Sequence, residues 1–152
     1  MTQMISRSQT LYEQDFVAWC EDIAAKLKAR DLEHLDFENL IEEVECLGRS
    51  ERRELKNRLT VLVAHLLKRV YVKSAENFNG WELTILEQRR QIKGLLQDSP
   101  SLKPYFKEII GEVYGDALEM VRVEYQEIQF PKSWQFELEV DVILSKKYWE
   151  DK

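Results

Sequence analysis

Apolar residues along this chain recur every three or four positions, the repeat of a helical face. Phe16, Trp19, Cys20, Ile23, Ala24 and Leu27 share one such face and predict a first helix over about 12–29, with Cys20 in the core. Thr10 and Glu13 have the spacing of a capping box, and Asp15 offers a second cap. "ARDLEHLD" then breaks the pattern. Asp36 begins a second helix, whose apolar stripe is Leu40, Ile41, Val44 and Leu47. Gly48 stands where a left-handed cap would end it.

Ser50 opens a third helix, about 50–73, with Leu55, Leu59, Leu62, Val63, Leu66 and Val70 on one face. At 1.5 Å per residue it spans roughly 36 Å. Nearly every position between Val61 and Leu67 is apolar, which predicts a central helix covered on several sides. "SAENFNG" reads as a loop. A fourth helix over about 80–97 buries Trp81, Ile85, Ile92, Leu95 and Leu96. "QDSPSLKP" stops and restarts the chain, with Ser99 or Ser101 as a cap and each proline tolerable only near a helix start. The fifth helix, about 101–126, carries Phe106, Ile109, Ile110, Val113, Ala117, Met120 and Val121. Gly111 and Gly115 fall off that stripe, where they permit a bend or a close neighbour. In the tail, "FELEVDVIL" alternates as a strand would, yet no second strand is evident to pair with it. A short helix over about 135–145 is the expectation.

The pattern thus predicts an all-α fold, a single-domain bundle of about five to six helices with a long central third helix. Residues 1–9 are expected to be disordered or extended, and 127–152 a tail packing on the bundle. Composition fits this reading: 152 residues, 44% apolar and 33% charged, with only three prolines and five glycines. No apolar run is long enough to cross a bilayer, and "MTQMISRSQT" has no apolar core to act as a signal peptide. A cytoplasmic protein is expected, with Cys20 and Cys46 as free thiols.

"YEQDFVAW" (12–19), "LIEEVECLGRSERREL" (40–55), "HLLKR" (65–69), "WELTILEQRRQI" (81–92) and "SPSLKPY" (99–105) together resemble the bacterial family called domain of unknown function 29. The resemblance runs from about residue 10 to 150. Its more specific parts are the glutamate pair with its Leu-Gly ending and the His-Leu-Leu-Lys run. The tail departs from the family's pattern, since "FPKSWQF" keeps one proline. The resemblance implies an all-helical fold and carries over no catalytic residue. Positions matching the family's pattern include Asp15, Trp19, Glu42, Glu43, Gly48, Arg49, His65, Lys68, Trp81, Thr84 and Arg89.

Three constellations carry candidate chemistry. The first is a polar cluster of Asp15, Glu42, Glu43, His65 and Arg89. An imidazole in apolar surroundings needs partners for its nitrogens, and a carboxylate is a good one. An interhelical hydrogen bond or ion pair is expected there. The sharper alternative is a small metal or acid–base site of His65 with Glu42 or Glu43. Di-iron bundles use Glu-x-x-His pairs, and neither His34 nor His65 has a glutamate three residues before it; Asp31 stands three before His34. No Gly-rich phosphate loop or nucleophile elbow is present, so no catalytic residue, metal or cofactor is expected.

The second constellation is basic: "GRSERREL", "HLLKRVYVK" and "EQRRQIK". These offer nucleic-acid contacts from the third and fourth helices, with Tyr71 or Trp81 to stack. A net charge of −6 and the interleaved Glu51, Glu54 and Glu87 argue instead for solvated helix surface. The third is aromatic. Trp134, Tyr148 and Trp149 either cap the bundle, with Phe130 and Phe136, or form an exposed anchor for a partner. A non-catalytic interaction module is therefore expected, acting through a protein partner or self-association, with no membrane contact.

Overall fold

The computed structural model describes residues 10–135 and 137–150. Residues 1–9 and Phe136, named above for the N-terminal segment and the tail, lie outside the described residues. Among the described residues the regular structure is wholly helical, so the all-α expectation holds. The chain divides into two compact units, Met1–Arg49 and Ser50–Lys152.

The first unit holds α1 (Leu11–Gln14), α2 (Phe16–Lys28) and the start of α3 (Phe37–Tyr71). Where one first helix was expected, Asp15 separates two. Thr10 and Glu13 close a full capping box on α1. Asp15 takes extended backbone (φ −153°) and its side chain accepts the Ala18 N–H, capping α2. α2 ends in a Schellman pattern: Arg30 N–H donates to the Leu27 carbonyl and Asp31 N–H to the Lys26 carbonyl. Arg30 accordingly adopts φ 62°, the left-handed region.

The core of this unit is small. Trp19, Ile23 and Leu35 are buried, with Tyr12 and Leu40 packed against them. Cys20, expected in the core, is exposed. So are Phe16 and Leu27, because the three buried residues present too little apolar surface to cover the whole face of α2.

α3 overturns two expected boundaries. It runs through Gly48 and Ser50 as one 35-residue helix. No glycine has positive φ, so Gly48 is not a left-handed cap, and Ser50 lies inside the helix instead of starting one. A Cβ at Gly48 would meet nothing within 4 Å. Gly48→Ala should therefore stabilise the protein by about 1 kcal/mol, through helix propensity alone. A capping glycine would give the opposite sign, and thermal unfolding distinguishes the two.

The second unit is a helical bundle. Its core joins Leu55, Leu59, Leu62, Leu66 and Leu67 of α3 to α4 (Ala75–Asp98), α5 (Leu102–Glu124) and α6 (Val140–Ile143). The expected enclosure of Val61–Leu67 holds for Leu62, Val63, Ala64, Leu66 and Leu67. α4 starts earlier than expected: "SAENFNG" is mostly helical from Ala75. Phe78 packs on the core beside Trp81, with ring centroids 6.1 Å apart. Ser101 stands at the start of α5 without a side-chain cap bond. Gly111 and Gly115 admit no close neighbour, since a Cβ at either would meet open space. The tail helix is four residues long, not eleven. A short 3₁₀ turn, Tyr148–Glu150, follows it.

Candidate functional site

The structure places each residue of the polar cluster in a local role. In the first unit, Tyr12 donates its hydroxyl hydrogen to Glu43, and the tyrosine pKa is pushed up to about 12, chiefly by that bond. Glu42 pairs with Arg49 at 2.9 Å on exposed surface, and Asp15 serves α2 as described. A polar contact that the spacing did not reveal joins them: Trp19 Nε1 donates to Asp36 at 3.1 Å. Asn39 donates to the same carboxylate through its backbone and side chain, and these bonds hold the Asp36 pKa below the ordinary range.

In the second unit, His65 meets no carboxylate partner of the expected kind among the described residues. Its Nδ1–H donates to the Val61 carbonyl of its own helix at 2.8 Å. A helix leaves that carbonyl able to accept a second bond, so Nδ1 is satisfied locally. Burial lowers the His65 pKa, because a charged imidazolium loses hydration there. A folded-state pKa below the unfolded value contributes stability above about pH 6.5, which is lost as pH falls through the folded pKa. Melting temperature should therefore drop as pH goes from neutral toward 5, and His65→Gln should flatten that slope. A native slope unchanged in the variant would assign it to other groups.

Arg89 is the one buried charged side chain among the described residues, 7% exposed. Its Nε–H donates to the Ile143 carbonyl at 2.9 Å and an Nη–H to the Lys146 carbonyl at 2.6 Å. It clamps the tail onto α4. Burial lowers its pKa. No salt bridge to Arg89 is found among the described residues.

The tail aromatics divide. Tyr148 is fully buried and donates its hydroxyl to the Glu137 carbonyl at 3.1 Å. Trp134 packs edge-on to Tyr148 and Tyr114, at 5.2 and 5.7 Å. Phe130 is buried beside Tyr71. Trp149 is only partly covered, with the Arg69 guanidinium 5.1 Å from its ring centre. Part of each of the first two basic clusters is engaged by carboxylates: Arg49 with Glu42, Lys68 with Glu124 and Arg69 with Glu82, at 2.9, 2.9 and 2.6 Å. Trp81 is buried in the core and offers no face for a base.

What the sequence did not reveal is a cleft. Arg89's clamp sets the tail beside the outer row of α4, and between them lies a cavity of about 690 Å³, within the range of ligand pockets. Leu83, Leu86, Leu144 and Trp149 supply apolar walls; Arg90, Lys93 and Lys147 supply positive charge. Glu82, the one carboxylate among its described lining residues, is taken by Arg69. "EQRRQIK" and Trp149 were legible as pieces of it. Their convergence depends on the tail folding back. Among the described residues, no three His, Cys, Asp or Glu side chains gather as a metal ion requires, and no helix is long and apolar enough to cross a membrane.

No curated protein and no solved structure matches this chain. The family model described as Domain of unknown function DUF29 matches residues 11–149, nearly the whole chain and both units. An all-helical chain carrying the quoted motifs across that length belongs to the DUF29 family.

Proposed function

We propose that this protein is a non-catalytic interaction module that binds another protein chain through an apolar strip on the first unit. One observation carries the reading. Phe37, Ile41 and Val44 lie in one row along α3, with Leu47 beside them, and all four are exposed, Leu47 by 68%. A row of apolar side chains at helical spacing, left facing solvent, is the recognition element of helix-in-groove binding. Supporting it, the residues of the polar cluster serve helix caps, tail anchoring and local pairing. Two exposed free thiols, Cys20 and Cys46, fit a reducing compartment, and the cytoplasm is the proposed location.

Val44→Glu tests this. The side chain is exposed, so the substitution should alter folding stability by no more than about 0.5 kcal/mol. A photo-crosslinking residue at Leu47 should give a discrete protein adduct in cells, and Val44→Glu should abolish it. A crosslinker that yields no adduct, or an adduct that Val44→Glu leaves unchanged, rejects the module.

A further inference from the structure

We infer that the strip's partner is the cleft of a second copy of this chain, giving a head-to-tail assembly. The inference rests on the interaction-module reading and adds the identity of the partner. Charge complementarity points to it. Residues 31–48 contain no lysine or arginine, and Glu38, Glu42 and Glu45 border the apolar strip along one side, Glu42 already paired with Arg49 on the surface and Glu38 and Glu45 leaving the acidic excess. The cleft has the reverse character: Arg90 and Lys93, with Lys147 beside its loose partner Glu150 at 4.0 Å, stand around apolar walls. An acidic amphipathic helix and a cationic apolar groove on the same polypeptide are each other's natural ligand.

The shapes agree as well. Residues 37–47 make a helix about 16 Å long. A cavity of about 690 Å³ takes several aliphatic side chains from such a helix. The α4 side of the groove is itself a helical row, Leu83, Leu86, Arg90 and Lys93, exposed throughout. Ile41 and Val44 would cover Leu83 and Leu86, and Glu38 and Glu45 would reach Arg90 and Lys93. Because strip and cleft are different surfaces, the contact is heterologous. Each copy then keeps one unused strip or cleft at its end, so assembly continues into a ring or a filament.

The intact chain should therefore show mass that rises with concentration in sedimentation velocity. High salt should weaken the association at least tenfold, since the paired charges lie at the surface. Two variants isolate the surfaces: Ile41→Glu with Val44→Glu removes the strip, and Leu86→Glu with Lys93→Glu reverses the cleft. All four residues are exposed, and circular dichroism verifies that both variants fold. Each variant alone should be monomeric. Mixed in equal amounts they should form a one-to-one heterodimer that grows no further, because one retains the cleft and the other the strip.

A native chain that is monomeric at every attainable concentration overturns the inference. So does a native oligomer whose two variants fail to complement, which would mean that like surfaces meet. The crosslinking result separates these failures from failure of the module itself. A discrete adduct to a different protein, beside a monomeric native chain, retains the module and rejects the second copy.

Discussion

Tyr148→Ala should destabilise the second unit by about 3–5 kcal/mol, the range for removing a large buried aromatic side chain. The ring is fully buried, packs edge-on against Trp134, and its hydroxyl donates to the Glu137 carbonyl. Tyr148→Phe keeps the packing and loses one hydrogen bond, so about 1 kcal/mol is expected. Trp149→Ala, one position further on, should cost much less, since that ring is partly exposed and lines the cleft. Urea unfolding followed by circular dichroism gives all three values. The contrast between neighbours is the test. Equal small losses at 148 and 149 would mean that the tail lies loosely on the bundle, and the cleft would lose its second wall.

Arg89→Ala is expected to cost about 3 kcal/mol, because two hydrogen bonds from a buried cation disappear together and leave two carbonyls short of a donor. The carbonyls belong to Ile143 and Lys146, 54 and 57 positions along the chain, so the loss falls on the tail's attachment. Arg89→Lys should recover little of it, since a single ammonium cannot reproduce the fork that reaches both oxygens. Trypsin should cut at Lys146 or Lys147 much faster in Arg89→Ala than in the native chain, while the α3–α5 core stays protected. Unchanged cleavage would show that apolar packing of Ile143, Leu144 and Tyr148 alone holds the tail.

These two positions also show where sequence reasoning reached and where it stopped. Tyr148 was legible as an aromatic that either caps the bundle or faces a partner. The choice between them depended on what surrounds it. Arg89 was legible as one of several basic residues on the fourth helix. A guanidinium bonded to backbone carbonyls leaves no side-chain pattern to read, because any residue can supply a carbonyl. His65 misled for the same reason: a carboxylate was the expected partner, and the ring used the carbonyl of Val61. Gly48 misled differently. It carries the mark of a helix end, yet a glycine inside a helix costs only about 1 kcal/mol, which a long helix tolerates.

The sequence by itself determined the fold class, the family and the buried face of α3 from Leu55 to Leu67. The fold class and that buried face follow from local periodicity, which the chain carries at every point, and the family from the quoted motifs, whose family model matches residues 11–149. Tertiary structure alone decided which predicted faces are covered. Leu59 and Leu62 share the rhythm of Ile41 and Val44, yet the first pair is enclosed and the second faces water. Periodicity states which side chains point together; only the packing of distant segments states what, if anything, lies opposite them.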